Sequence, residues 1–279
     1  MHLTVTHQTT YTYEPSAERL AFRLRLFPAA FEGQQVGEWA VKVNGETVPR
    51  LLLDGAGDGV GLWHAREPQS EVVIVASGEV DTQDRSGIVS GLQRRPPAAM
   101  YLRETPLTVP DTAVRELARS AQHDELLDTL HALSAAVTKA VAYKPGVTTT
   151  TTTAADAVRI GAGVCQDHAH VFVSAARSLG VPARYVVGYL LADEDGNEVV
   201  ETHAWAEAFC RDVGWIGFDA SNAVSPTERY IRLGCGHDAA AATPIRGTLT
   251  GDAIGSLSAK VSITPAAAQQ SQQQSQSGV

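Results

Sequence analysis

The sequence predicts an α+β protein, because the spacing of its apolar residues changes twice along the chain. In the first hundred residues, apolar and polar positions alternate over short runs, as they do in half-buried strands. From residue 111 the apolar residues recur at helical spacing, and from residue 183 the alternation returns. Helices between two strand-rich parts are typical of an α+β protein.

The first part, residues 1–100, is predicted to be a β-rich module. A glycine-rich turn at 54–59 separates runs of alternating residues, and these runs are 3–13, 39–43 and 71–80. Short strands divided by turn residues indicate an antiparallel sandwich or barrel. Prolines at 96, 97, 106 and 110 mark the connector that follows.

The second part, residues 106–250, is predicted to hold the helices and the second set of strands. Asp111 is placed to cap the first helix, and the threonine run 148–153 is predicted to be a loop that ends in the cap of another helix. The expected elements are helices from 111, at 126–141, 154–160 and 165–179, and strands at 184–191, 203–210 and 215–219. The Ala, Gln and Ser segment 265–279 carries no charge or periodicity, which predicts a disordered tail.

The overall charge narrows the possible partners. Lys and Arg total 22 against 31 Asp and Glu, a formal net charge of −9, which argues against nucleic acids and anionic membranes as partners. The first residues lack the basic and apolar regions of a secretory signal, so a cytoplasmic protein is expected. The three cysteines, at 165, 210 and 235, do not suggest a disulfide framework, although a single Cys210–Cys235 bridge is left open.

The segment GVCQDHAH, residues 163–170, places Cys165 where a helix is predicted to begin. The first turn of a helix has unpaired N–H groups and a partial positive charge, and both favour a thiolate. The same N–H groups can stabilise an oxyanion. Cys165 is therefore the predicted nucleophile, and the alternative is a buried, unreactive cysteine. Gln166 and Tyr143 are candidates for a second oxyanion donor.

His203 and Asp219 are predicted to complete the site as base and orienting carboxylate. In the strand 203–210, odd positions share one face, while Ala204, Ala206, Ala208 and Cys210 share the other. The small residues are expected to be closely packed, so that the His203 face opens on a site or on solvent. A three-residue turn at 211–213 would pair Cys210 with Gly214 and put Asp219 diagonal to His203, within side-chain reach.

Several segments in this order resemble the transglutaminase-like superfamily, in its bacterial branch of thiol proteases. They are GVCQDHAH, LGVPARYVVGY at 179–189, THAWAEAF at 202–209 and GWIGFDASN at 214–222, with YKPGVT at 143–148 upstream. The region 1–100, with YTY at 11–13 and LRLFP at 24–28, resembles the module that precedes this core in such proteins. The family commonly has Pro-Thr after the aspartate, where this chain has Ala220 and Ser221, and a looser loop is expected there.

The resemblance implies a papain-like core, in which helices pack on an antiparallel sheet, and a Cys165–His203–Asp219 triad that attacks a peptide or protein substrate. Hydrolysis of a peptide or isopeptide bond is the first expectation, and the alternatives are acyl transfer to an amine and an inactive peptide-binding module. No cofactor is implied. Cys165, His168 and His170 could mimic a zinc site, but no fourth ligand is evident. Asp167 and His170 are expected to steady the helix that carries Cys165.

Overall fold

The structure is a computed structural model that describes residues 1–93, 96–191 and 202–265. The strands of these residues are β1 (His2–Ala17), β2 (Arg19–Phe27), β3 (Gln34–Val43), β4 (Glu46–Thr47), β5 (Leu52–Leu53), β6 (Gly59–His64), β7 (Gln69–Thr82), β8 (Ile88–Val89), β9 (Ala142–Tyr143), β10 (Ala162–Gly163), β11 (Ala183–Leu190), β12 (His203–Cys210), β13 (Gly214–Phe218), β14 (Tyr230–Gly236), β15 (Ile245–Thr250) and β16 (Ile254–Pro265). The α-helices are α1 (Thr112–Ser120), α2 (Leu126–Ala140), α3 (Ala154–Ile160), α4 (Cys165–Ser178) and α5 (Ala239–Ala242), and a 3₁₀-helix spans Ala98–Leu102. In the described part of the chain, no helix has the length and apolar character needed to cross a bilayer.

The predicted β-rich module is a sandwich of two antiparallel sheets. Their strand orders are β16-β1-β7-β3-β4 and β15-β2-β6-β5. Apolar side chains from both sheets, such as Leu3, Phe22, Val41 and Ile74, form one buried core between them. Apolar and polar residues therefore alternate in β1 and β7 because one face of each strand is buried in this core, as the sequence predicted.

One edge strand of each sheet in the sandwich comes from the carboxyl-terminal part of the chain. In β16, Pro265 pairs with Leu3 of β1, and in β15, Ile245 pairs with Leu24 of β2. Neither strand was predicted from the sequence, because β15 and most of β16 are exposed and rich in small or polar residues. The division into 1–100 and 106–250 stays a prediction, and residues 245–265 belong to the amino-terminal sheets. The predicted tail lies outside the described residues beyond Pro265.

The second part of the chain is built on a five-stranded central sheet of order β14-β11-β12-β13-β8. Helices α1 to α4 cover one face, where Phe172 of α4 packs in one core with Ala206 and Ala208 of β12. The expected close packing of the small residues is therefore confirmed. The structure thus has the fold class predicted by the sequence, namely helices packed on an antiparallel sheet after a β-rich module.

The opposite face of the central sheet differs from the sequence prediction. Trp205 and Glu207 were expected to open on a site or on solvent, but Trp205 is 2% exposed and Glu207 is fully buried. Glu207 pairs with Arg184 of β11 and Arg232 of β14, at 2.5 Å and 2.9 Å. Tyr101 of the 3₁₀-helix packs with Trp205 in the same buried cluster. Alternation alone could not show that the rest of the chain covers this face.

The ends of the helices follow the predicted signals. The carboxylate of Asp111 accepts a hydrogen bond from the backbone N–H of Val114 at 2.9 Å and caps α1. Thr153, the last residue of the threonine run, caps α3 by accepting from the N–H of Asp156 at 3.1 Å. Gly161 ends α3 in the left-handed conformation, with φ of 71°, which a residue with a side chain rarely adopts.

Candidate functional site

Cys165 is the first residue of α4 and is partly exposed. The helix start is fixed by Asp167, whose carboxylate accepts hydrogen bonds from the N–H of Val164 at 2.8 Å and the hydroxyl of Thr148 at 2.7 Å. Gly163 is required here, since an added Cβ would lie 2.5 Å from the Asp167 carboxylate. Asp167 therefore steadies the start of the helix, as predicted, and its own N–H donates to the carbonyl of Val164 at 2.9 Å.

His203 and Asp219 meet through the register predicted from the turn length. Cys210 pairs with Gly214, so residues 211–213 form a three-residue connection. His203 begins β12, and Asp219 directly follows β13 on the neighbouring strand. The Nε2 atom of His203 lies 2.6 Å from Oδ2 of Asp219. The geometric prediction is confirmed, and the Nδ1 side of the ring is left for another partner.

Several donors surround the Asp219 carboxylate. Its Oδ1 accepts from the N–H and hydroxyl of Ser221, at 3.0 Å and 2.6 Å, and its Oδ2 accepts from the side-chain amide of Asn222 at 2.7 Å. The hydroxyl of Tyr230 also donates to Oδ2, at 2.8 Å. Ser221 and Asn222 therefore join the loop after Asp219 to the carboxylate, and the expected looseness relative to the family stays a prediction.

The pKa values of His203 and Asp219 shift in opposite directions. Burial favours the neutral acid, but hydrogen bonds from His203, Ser221 and Asn222 outweigh it and lower the pKa of Asp219 to about 2. Burial likewise opposes a charged His203, but Asp219 and the Cys165 thiol, both hydrogen-bonding partners, raise its pKa to about 9. At neutral pH the arrangement therefore favours a positively charged imidazole beside Cys165.

Two aromatic side chains hold the His203 ring in place. The Trp205 ring stacks on it with centroids 6.2 Å apart, and the Tyr230 ring meets it at a steep angle with centroids 5.9 Å apart. Trp205 and Tyr230 also contact each other edge to face, at 5.5 Å. Tyr230 was missed, because sequence analysis identified neither β14 nor any motif around it.

The candidates for a second oxyanion donor lie near the start of α4. Gln166 is the next residue after Cys165 and is half-buried. Tyr143 pairs with Gly163 in the short parallel ladder of β9 and β10, and its side chain is 59% exposed. Both positions are compatible with a role at the thiol, and that role stays a prediction.

The residues of the zinc alternative have other partners. The Nδ1 and Nε2 atoms of His168 lie 2.8 Å and 2.7 Å from the carbonyl oxygens of Val164 and Val141. The Nε2 atom of His170 accepts from the N–H of Ala239 at 3.0 Å, so His170 joins α4 to α5. Across the described ranges, no group of three His, Cys, Asp or Glu side chains is arranged to hold a metal ion.

All three cysteines are free. Cys210 lies in the core under the helices, while Cys235 lies in the cluster on the opposite face of the central sheet with Tyr101 and Trp205. The bridge left open by the sequence is therefore not formed, because the sheet separates the two thiols. Cys165 is the one of the three that is accessible, since Cys210 is 7% exposed and Cys235 is fully buried.

A cysteine at a helix start beside a histidine–aspartate pair on an antiparallel sheet defines a transglutaminase-like arrangement. Residues 111–220 match the family described as the transglutaminase-like superfamily, and residues 3–81 match the bacterial transglutaminase-like N-terminal region. This chain belongs to the transglutaminase-like superfamily and carries the amino-terminal region of its bacterial members.

The chain is similar to curated relatives and to a solved structure over nearly its whole length. An uncharacterized protein of Mycobacterium leprae is 31% identical over 273 residues, covering 93% of this chain and 97% of that protein. An uncharacterized protein of Mycobacterium tuberculosis is 26% identical over 272 residues, covering 88% and 86%. The fold is similar to the crystal structure of a "Putative Cysteine Protease" from Cytophaga hutchinsonii, with a TM-score of 0.70, 22% identity and coverage of 94% and 90%.

Proposed function

We propose that the protein cleaves a peptide or isopeptide bond through a thioester on Cys165, with His203 as general acid and base and Asp219 as the orienting carboxylate. The observation that carries the proposal is the 2.6 Å contact of His203 Nε2 with Asp219, which leaves the opposite side of the ring for Cys165. A histidine pKa of about 9 supports an imidazolium–thiolate pair at neutral pH. The expected cytoplasmic location and a peptide or protein partner belong to the same proposal.

The reaction would proceed in two steps, which are formation of the thioester and its hydrolysis. The Cys165 thiolate attacks the carbonyl carbon, and the first-turn N–H groups of α4 stabilise the oxyanion. The C–N bond breaks, His203 gives its proton to the leaving amine, and a thioester remains on Cys165. Water then gives a proton to His203 and attacks the thioester, so that the C–S bond breaks and the acid is released. An amine in place of water would complete an acyl transfer.

Alkylation of the full chain by iodoacetamide tests the nucleophile. We expect Cys165 to react well ahead of Cys210 and Cys235. Because Cys165 is also the most accessible thiol, the decisive control is His203→Ala, which keeps the exposure and removes the base. If Cys165 of this variant reacts as fast as Cys165 of the wild type, the proposal is contradicted.

The acyl group and its fate identify the reaction. Cell extract is mixed with the protein and quenched in acid, and the mass added to the peptide containing Cys165 is measured. A thioester adduct that disappears with water alone supports hydrolysis, and a product that gains an added fluorescent alkylamine supports acyl transfer. A Cys165→Ala chain is the matched control. An absence of any adduct, together with peptide binding by both chains, would instead support the inactive binding module.

A further inference from the structure

The amino-terminal β-rich module contacts the edge of the central sheet that is formed by β14. In the order β14-β11-β12-β13-β8, strand β14 is an edge strand, so half of its backbone groups point away from the sheet. Gln34 of β3 bonds both backbone groups of Arg232, accepting from its N–H at 2.7 Å and donating to its carbonyl at 2.8 Å. Asp58 accepts from the N–H of Cys235 at 2.8 Å, and Arg25 donates to its carbonyl at 2.6 Å.

These contacts are buried and continue to the start of the strand. Gln34 is fully buried, and Asp58 and Arg25 are 2% and 3% exposed. The hydroxyl of Thr82, at the end of β7, donates to the carbonyl of Glu228, two residues before Tyr230. Side chains of the module thus replace the neighbouring strand that β14 lacks. Because buried hydrogen bonds are costly to break, these contacts fix the position of β14.

The first residue of β14 reaches the candidate active site. Tyr230 is 8% exposed, donates to Oδ2 of Asp219, and contacts the His203 and Trp205 rings. The same Oδ2 atom lies 2.6 Å from Nε2 of His203. Loss of the Tyr230 hydroxyl would leave that oxygen with fewer fixed donors and allow the carboxylate to turn away from the histidine.

We propose that the amino-terminal module positions the Asp219–His203 pair: Gln34 and Thr82 hold the edge strand β14, and Tyr230 at its start orients the Asp219 carboxylate. Tyr230 is a positioning residue, since it acts on the site through Asp219. This inference rests on the proposed function and assigns the module a part in the chemistry of the same site. It requires no substrate contact from the module.

The pH dependence of Cys165 alkylation by iodoacetate tests this role in the full chain. The anionic reagent is attracted by the imidazolium, so its rate falls as His203 loses its proton, and the upper inflection reports the His203 pKa, which is about 9. We expect Tyr230→Phe to lower this inflection by about one pH unit, because a carboxylate that turns away weakens its charged hydrogen bond to His203. Gln34→Ala should lower it by less, and the double variant should show no further shift.

Two further variants control for effects on stability alone. Tyr189 lies on strand β11, next to β14, and its hydroxyl contacts His7 of β1 at 3.0 Å, away from Asp219. Tyr189→Phe removes this contact and should leave the inflection unchanged. Thr82→Val keeps the side-chain shape and removes the hydroxyl that donates to the carbonyl of Glu228 and, at 3.3 Å, to that of Met1. It tests the module if Gln34→Ala does not fold. Thermal unfolding of each variant shows whether the losses of stability are matched.

The outcomes separate this inference from the proposed function. If wild-type Cys165 is not alkylated selectively, the proposed function fails. If the wild type reacts selectively but Tyr230→Phe leaves the inflection in place or raises it, Tyr230 does not position the carboxylate. If Tyr230→Phe lowers it while Gln34→Ala and Thr82→Val both match the wild type, the module has no part in the site and the inference is overturned.

Discussion

Replacing Glu207 by Gln should destabilise the protein strongly, because this fully buried carboxylate is shared by two buried guanidinium groups. Arg184 lies 2.5 Å and Arg232 2.9 Å from its two oxygens, and both arginines are at most 3% exposed. Burial opposes the ionised form, but the two arginines outweigh it and lower the pKa of Glu207. Glu207→Gln keeps the shape and removes the charge, so both cations lose their shared carboxylate, and Arg232 keeps a longer, 3.5 Å contact with Asp58.

The expected loss is about 3–5 kcal/mol of unfolding free energy, the range found when one partner of a buried ion pair is removed. This is a large part of the 5–15 kcal/mol typical of a folded domain. Unfolding in urea, followed by tryptophan fluorescence, measures the loss. The matched control is Glu32→Gln, because Glu32 pairs with Arg85 at 3.1 Å on the surface, where both side chains are about half exposed. That pair should contribute less than about 1 kcal/mol.

A Glu207→Gln variant within about 1 kcal/mol of the wild type would refute this reasoning. It would mean that Arg184 finds enough compensation in its stacking on Trp215, whose ring centroid lies 3.9 Å from the guanidinium carbon. A loss in the Glu32→Gln control as large as that in Glu207→Gln would also refute it, because the effect would then not depend on burial.

Two further substitutions test other buried sites. Burial lowers the pKa of His170 to about 4, so the neutral ring stabilises the fold above pH 6.5, and this contribution, at most about 3 kcal/mol, is lost as the pH falls through about 4. His170→Gln should therefore lose less stability than the wild type between pH 7 and pH 4, measured by thermal unfolding, and an equal loss would contradict this. Gly188→Ala would place a Cβ 2.1 Å from the carbonyl oxygen of Ile231 and 2.6 Å from Trp205. It should lower the urea midpoint sharply, whereas Gly55→Ala, whose Cβ meets no atom within 4 Å, should not.

The sequence predicts the parts of the site that depend on local signals. The helix beginning at Cys165 and the strand His203–Cys210 follow from glycine, proline and alternating residues, and the structure has them where expected. The meeting of His203 with Asp219 follows from a three-residue turn, because register alone decides which side chains share a face.

The remaining parts depend on contacts between distant segments. Tyr230 reaches Asp219 from an edge strand that no alternating run of residues indicates. Glu207 resembles a solvent-facing residue in sequence, yet it is buried because arginines from two other strands meet it. The pairing of Leu3 with Pro265 joins residues separated by almost the whole chain, and neither segment contains a signal for the other.

This pairing of the first and last strands has a consequence for synthesis on the ribosome. Strand β1 can pair with β7 early, but its other neighbour, β16, is the last of the described strands to emerge. The sheet that contains β1 can therefore be completed only after the segment that carries Cys165, His203 and Asp219 has been made. Until then the nascent chain exposes the free side of a long strand, and chaperones that bind extended segments would find their target there.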